Sequence, residues 1–349
     1  MSNDTPQAKI ILITGGAGFI GVNAARYFAE QGWTIAILDN LSRRGTEENL
    51  RWLRERIDIR FERADIREPA AIDGIIGDIR PDVVLHLAAQ VAVTTSVVDP
   101  REDFEINAFG TFNVLDAVRR FSPESFFINA STNKVYGKME EVGVVERNGR
   151  YEYRDLPAGV DERQLLDFHS PYGCSKGTAD QYAIDYSRIY GLKTVTFRQS
   201  CIYGTRQFGI EDQGWVAWFI IAAVLGKTIT IYGDGKQIRD VLQVEDLARA
   251  YEAAYLHRDR ASGQAFNIGG GLGNTLSLLE LLGYLEVELG MQIPLRWSDW
   301  RPGDQPVFVC DLTKAEQLLD WKPQISVKDG VRQLIHWVRG NRDLFDWLK

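Results

Sequence analysis

Three stretches of the chain combine residue types and spacings that could do chemistry. Residues 14–21 read Thr14-Gly15-Gly16-Ala17-Gly18-Phe19-Ile20-Gly21. The glycines satisfy GxxGxxG from Gly15 and GxGxxG from Gly16. They follow an apolar run and open a helical pattern, the context that gives such spacing its meaning. Without side chains the backbone can approach a pyrophosphate, and a helix N-terminus offers free N–H groups and partial positive charge. Asp39 ends the second apolar run, 18 residues after Gly21. A carboxylate there would bond an adenosine ribose and repel a 2′-phosphate, which favours NAD over NADP. Arg43 and Arg44 pull the other way. Asp65, after the third run, is placed to reach an adenine ring.

The second group is Tyr172 with Lys176, a Tyr-x-x-x-Lys pair opening a helical pattern. The i, i+4 spacing puts both on one face. With a pKa of about 10, tyrosine is a poor base at neutral pH. A neighbouring ammonium and a nicotinamide cation both favour the phenolate. Lys176 could also hold ribose hydroxyls. A second such pair, Tyr232 and Lys236, spans Gly233-Asp234-Gly235, a turn that no helix can hold together. The third group, Ser131-Thr132, lies just past the fifth apolar run, where a hydroxyl could bridge substrate and Tyr172.

Short β-rich runs alternating with helical patterns must position these groups. Strands are expected at Lys9 to Ile13, Thr34 to Leu38, Ile59 to Arg63, Val83 to Leu87, Ser125 to Ile128 and Thr194 to Phe197. Near-continuous apolar strands alternating with helices predict an α/β fold, a doubly wound parallel sheet of Rossmann type with a smaller α/β substrate lobe. Phe19 to Gln31 reads as a helix. Two long helices, Asp103 to Phe121 and Ser170 to Tyr190, carry apolar stripes that suit core packing or a subunit interface. The domain reading is 1–198 for the dinucleotide, with 242–268 returning to it, and 199–349 largely for the substrate. The polar stretch 137–167 is long enough for a lid or binding loop. The tryptophans are expected mostly in the core, and Cys174 is expected to pack.

The 349 residues carry a net charge of −8. That balance argues against binding nucleic acid or anionic lipid over the whole surface. Three cysteines, none in CxxC spacing, predict no disulfide framework and no metal site. The polar start predicts no leader peptide, and Trp215 to Leu225 is too short to span a membrane, which together suggest a cytoplasmic protein.

Together these residues resemble the extended short-chain dehydrogenase/reductase family, the nucleotide-sugar epimerases and dehydratases. The likeness runs through residues 14–21, Asp39-Asn40-Leu41, His86-Leu87-Ala88-Ala89-Gln90, Asn107 with Gly110-Thr111, Val135-Tyr136-Gly137, Tyr172 with Lys176, and Arg239-Asp240-Val241. It implies NAD bound by Gly15, Gly18, Phe19, Ile20, Gly21, Asp39, Asn40, Asp65, Ile66, Ala88, Gln90, Asn107 and Lys176, with Thr132, Tyr172 and Lys176 catalytic. Family members oxidise a sugar hydroxyl to a ketone and then diverge. Dehydratases carry Asp-Glu directly after the catalytic Thr. Here Asn133 and Lys134 stand there, and an amide with an ammonium cannot perform that elimination at neutral pH. An epimerase needs the least further machinery, because hydride returns to the other face of the ketone.

Finer strings, Ser131 to Gly137, Leu166 to Lys176, Arg206-Gln207-Phe208 and Asp212 to Trp215, resemble members acting at C2 of CDP-linked hexoses. A nucleotide-diphosphate sugar, CDP-hexose favoured, is the expected partner. Asn133, His169, Arg206, Gln213, Arg239 and Arg301 are the expected contacts, with Trp215 a weaker one; guanidinium groups can clamp phosphate bidentately. A UDP-hexose 4-epimerase and a non-catalytic NAD-binding sensor are the alternatives. Family habit and the two long helices imply a homodimer or higher homo-oligomer.

Overall fold

A computed structural model describes residues 8–300 and 304–348. In chain order the elements are β1 (Ile10–Thr14), α1 (Phe19–Glu30), β2 (Thr34–Asp39), α2 (Thr46–Arg54), β3 (Ile59–Arg63), α3 (Pro69–Ile79), β4 (Val83–His86), α4 (Val93–Val98), α5 (Pro100–Phe104), α6 (Gly110–Phe121), β5 (Phe126–Thr132), β6 (Val144–Arg147), β7 (Arg150–Tyr153), α7 (Ser170–Tyr190), β8 (Thr194–Gln199), β9 (Cys201–Tyr203), α8 (Trp215–Val224), β10 (Ile229–Tyr232), β11 (Ile238–Gln243), α9 (Val244–Leu256) and β12 (Gln264–Ile268). The chain divides into two compact units: residues 1–131, 170–197 and 251–265 in the first, and 132–169, 198–250 and 266–349 in the second.

The first unit is built on a seven-stranded sheet in the order β12-β8-β5-β4-β1-β2-β3. The pairs β3/β2, β2/β1, β1/β4 and β4/β5 are parallel. Chain order reverses between β1 and β4, so loops diverge there at the carboxyl ends of the strands, where open α/β sheets bind ligands. Ile11, Leu12 and Ile13 are all buried, as strands covered on both faces require. On one face Leu12, Val84 and Phe127 pack with Ile72 and Ile76 of α3 and Val114, Leu115 and Val118 of α6.

The expected helix Asp103 to Phe121 is interrupted. Between α5 and α6 the segment Glu105–Phe109 is a π-helical turn, and the Gly110 amide donates five residues back to Glu105. Such one-turn bulges add a residue to the helix and mark functional sites. This one turns Asn107 wholly inward while Phe104 and Phe109 remain exposed. Gly110 packs closely here: a Cβ would lie 2.5 Å from the Cδ1 of Ile66, whose side chain would have to move.

In the second unit, β11 pairs with β9 in parallel and with Thr275–Ser277 antiparallel. The helix α8 is apolar nearly all round because it is buried among Leu281, Leu285, Val331, Leu334 and Ile335. The stretch 137–167 contains an antiparallel hairpin, β6 with β7. It is pinned rather than loose: Tyr151 donates to Asp234 at 2.6 Å, Arg150 pairs with Glu280 at 3.0 Å, and Lys236 pairs with Glu146 at 2.7 Å. Lys236 is therefore spent on the hairpin, and the Gly233-Asp234-Gly235 turn uses two left-handed glycines. One expectation fails: Cys174 is exposed. Trp321 is buried and Trp215, Trp218, Trp337 and Trp347 pack against the core, whereas Trp297 and Trp300 are exposed.

Candidate active site

The glycine loop connects β1 to α1. Gly15 has φ +67°, and a Cβ there would sit 2.7 Å from the Ala88 amide. A Cβ on Gly21 would sit 2.5 Å from the Gly15 carbonyl. Both positions demand glycine so that strand, loop and helix can close on one another. Gly18 caps α1 with extended backbone and no side-chain cap. The amides of Phe19 and Ile20 head the helix, where no earlier turn can accept from them. This cradle fits a dinucleotide pyrophosphate on its chemistry and on its space.

Asp39 ends β2 and is buried. Its Oδ1 accepts from the Leu41 amide at 2.8 Å and its Oδ2 from the Ala17 amide at 3.1 Å. Burial raises its pKa, while the two amides and Arg43 oppose that rise. Arg43 is exposed at the surface, yet its charge acts on Tyr172 and Asp39 alike. Asn40 donates to Asp65 at 2.8 Å, and Arg67 chelates the same carboxylate at 2.8 and 3.0 Å. Those bonds, Arg67 foremost, hold the Asp65 pKa down at about 2. The Ile66 carbonyl accepts from Asn113 at 2.9 Å, which fixes the loop after β3.

At the end of β4, His86 bridges Thr14 Oγ1 at 2.7 Å and Thr111 Oγ1 at 3.0 Å. Beyond it, Gln90 and Asn107 bond reciprocally: the Gln90 amide donates to Asn107 Oδ1 at 2.9 Å, and Asn107 Nδ2 donates to the Gln90 carbonyl at 3.0 Å. Asn107 is fully buried, so its side chain shapes the Ala88–Gln90 loop from behind.

Tyr172 is the third residue of α7, and its amide donates to Ser96 Oγ at 3.2 Å. One turn on, Lys176 Nζ donates to the Ala130 carbonyl of β5 at 2.6 Å. Burial pulls the Lys176 pKa down to about 8 against the pull of Asp180 and Asp103. Ser131 Oγ donates to Asp180 at 2.7 Å, so of the two adjacent hydroxyls Ser131 is committed to the scaffold.

In the second unit, Thr132 closes β5 and caps the turn Asn133–Tyr136, its Oγ1 accepting from the Lys134 amide at 3.2 Å. Asn133 is buried beside it. Arg239 Nη2 bonds Asp304 at 2.6 Å. Lys134 feels Arg239, Asp304 and Cys201, and burial together with Arg239 lowers its pKa. By its type Lys134 only excludes a dehydratase; its proximity to Arg239 has no local signal in the sequence. Arg206 is buried with its guanidinium over the Trp337 ring, 5.8 Å from the centroid. The Gln213 backbone bridges Ile210, and His169 is exposed. The Oε1 of Gln207, next to Arg206, is buried without a partner among the described residues, a polar group that a ligand would satisfy. Arg301 lies outside the described residues.

Residues 12–334 match a family model described as GDP-mannose 4,6 dehydratase. The chain is 47% identical to the CDP-paratose 2-epimerase of Salmonella typhi over 332 residues, covering 94% of this chain and 98% of that one. Among solved structures it is similar to DesIV, the dTDP-glucose 4,6-dehydratase of Streptomyces venezuelae, with NAD and TYD bound. That likeness has a TM-score of 0.83 and 28% identity, covering 97% of this chain and all (100%) of that one. It is also similar to the Thermus thermophilus UDP-glucose 4-epimerase complexed with NAD, with a TM-score of 0.79 and 30% identity over 95% of this chain and 99% of that one.

Proposed function

From the premise that this chain belongs to the extended short-chain dehydrogenase/reductase family, in its nucleotide-sugar epimerase and dehydratase branch, we propose that it is an NAD-dependent isomerase. The reaction is inversion at C2 of CDP-paratose, giving CDP-tyvelose. One observation carries the epimerase reading: a Tyr172–Lys176 pair set at the end of β5, followed after Thr132 by Asn133 and Lys134 where a dehydratase needs an acidic pair. The CDP-hexose and C2 assignments are supported by the likeness to the Salmonella typhi enzyme.

NAD, when bound, would supply reversible hydride acceptance. The chain supplies the rest. Gly15, Gly18, Phe19, Ile20 and Gly21 receive the pyrophosphate, Asp39 the adenosine ribose, and Asn40, Asp65 and Ile66 the adenine side. Ala88, Gln90 and Asn107 line and brace the nicotinamide side. Tyr172 Oη takes the proton of the C2 hydroxyl as a ketone forms, and returns it after the ketone has exposed its other face. Lys176 keeps positive charge beside that phenolate, and Thr132 hydrogen-bonds the reacting oxygen. Arg239, with Lys134 near it, and Arg206, Gln213, Asn133, His169 and Arg301 are assigned to the sugar nucleotide. Proton and hydride are both returned, so no external oxidant is consumed.

The protein is assigned as a homodimer joined through α6 and α7, which expose Phe112, Tyr182, Ile189 and Tyr190. It is assigned to the cytoplasm, where its three free thiols stay reduced. No described helix is long and apolar enough to cross a membrane.

The test is a panel of CDP-, UDP- and GDP-hexoses incubated with the NAD-loaded protein and followed by NMR. Conversion of CDP-paratose supports the reading. Turnover of UDP-glucose instead would make the chain a 4-epimerase, and turnover of none would leave an NAD-binding sensor.

A further inference from the structure

Two buried carboxylates flank the lysine of the pair, and neither is among the residues assigned above. Asp180 lies one turn beyond Lys176 on α7, so the two share a helix face. It is wholly buried. Its Oδ2 accepts the Ser131 hydroxyl at 2.7 Å and its Oδ1 accepts from Gln181 at 2.9 Å. Ser131 immediately precedes Thr132 in β5. Asp103, on α5, accepts from Ser175 Oγ at 2.5 Å, from Asn107 Nδ2 at 3.1 Å and from Gln90 Nε2 at 3.2 Å.

The Lys176 ammonium donates to the Ala130 carbonyl of β5, feels the charges of Asp180 on its own helix and of Asp103 on α5, and acts in turn on His86 of β4. Burial holds His86 neutral, so it adds no positive charge. A dry pocket disfavours an ammonium unless carboxylates compensate it.

We propose that Asp180 is a positioning residue of the catalytic apparatus: it holds Lys176 in its charged form and, through Ser131, fixes the end of β5 that carries Thr132. This rests on the epimerase reading for its catalytic meaning. Asp180→Asn preserves shape and can still accept from Ser131, but it removes the charge. Lys176 then loses its proton at lower pH, and Tyr172 loses one of the two cations that favour its phenolate, the Arg43 charge remaining.

The experiment compares Asp180→Asn, Asp180→Glu and Ser131→Ala with the unmodified NAD-loaded protein. One readout is the pH profile of kcat. The other is the phenolate ultraviolet difference spectrum without sugar, with Tyr172→Phe as blank. Asp180→Asn should move both the acid limb and the Tyr172 ionisation to higher pH, cut kcat about tenfold near neutrality, and recover as pH rises. Asp180→Glu should restore part of the limb. Ser131→Ala should lower kcat at every pH without moving it. If Asp180→Asn lowers activity evenly and leaves Tyr172 ionisation where it was, Asp180 is structural only and the proposal fails. If Asp180→Asn does not fold, the decision passes to Asp180→Glu and Ser131→Ala. A limb that moves in Ser131→Ala but not in Asp180→Glu then overturns the charge argument. If the unmodified protein inverts no sugar nucleotide, the epimerase reading falls, while the phenolate spectrum still decides the inference.

Discussion

The ammonium of Lys176 and the carbonyl of Ala130 are joined at 2.6 Å, a bond that ties the second turn of α7 to β5 two residues before Thr132. It fixes the lysine by a neutral acceptor and leaves its charge to act on its neighbours. In the proposed reaction that charge serves the hydroxyl of Tyr172. Tyr172→Phe should lower kcat roughly 10²–10⁴-fold while leaving NAD affinity near that of the unmodified protein. Initial rates, with NAD binding followed by tryptophan fluorescence, separate the two effects.

Gly15→Ala should destroy the cradle. A side chain at φ +67° costs roughly 1–2 kcal/mol in backbone alone, and its Cβ would press on the Ala88 amide at 2.7 Å. The variant should melt at lower temperature and lose the rise in melting temperature that NAD gives the unmodified protein. Calorimetry with and without NAD checks both.

His86 gives the fold an acid sensitivity of known sign. Burial first, then the Lys176 charge, pulls its pKa from 6.5 to about 3. Between those values the unfolded chain binds a proton that the folded chain refuses. The stability it contributes is therefore complete above the unfolded pKa and drains away as pH falls through the window. At roughly 1.4 kcal/mol per unit, the loss amounts to a few kcal/mol. His86→Gln should flatten the dependence of urea unfolding free energy on pH between about pH 7 and about pH 4.

Phe112 and Tyr182 meet edge to face at 6.0 Å across α6 and α7, and both remain exposed. An apolar face of this kind is what the proposed dimer would bury. Phe112→Glu combined with Tyr182→Glu should give a monomer by light scattering at micromolar concentration, and a dimer that persists would move the contact elsewhere.

Much of this was legible in residue types because the signals are local. Ile59–Arg63 and Ser170–Tyr190 have the predicted bounds, since apolar runs and helical stripes declare themselves over a few residues. The β5 strand runs on to Thr132, past the expected end at Ile128, because polar Asn129 and Ser131 find buried partners that no window reveals. The π turn at Glu105–Phe109 leaves no propensity mark, yet it is what turns Asn107 inward. Long-range pairs were invisible for the same reason: Ser131 with Asp180, Arg239 with Asp304, and Arg206 over Trp337 are separated by 49, 65 and 131 residues. The fold brings them together through packing, whereas the glycine cradle and the Tyr172–Lys176 pair are written in consecutive turns.

The fate of the hydrogen on the inverted carbon tests the central claim most directly. CDP-paratose deuterated at C2 should give CDP-tyvelose that keeps its deuterium at C2, because the hydride that leaves is the one that returns. Loss of that label to solvent, with protium appearing at C2, would contradict hydride return and replace it with proton abstraction through an enol.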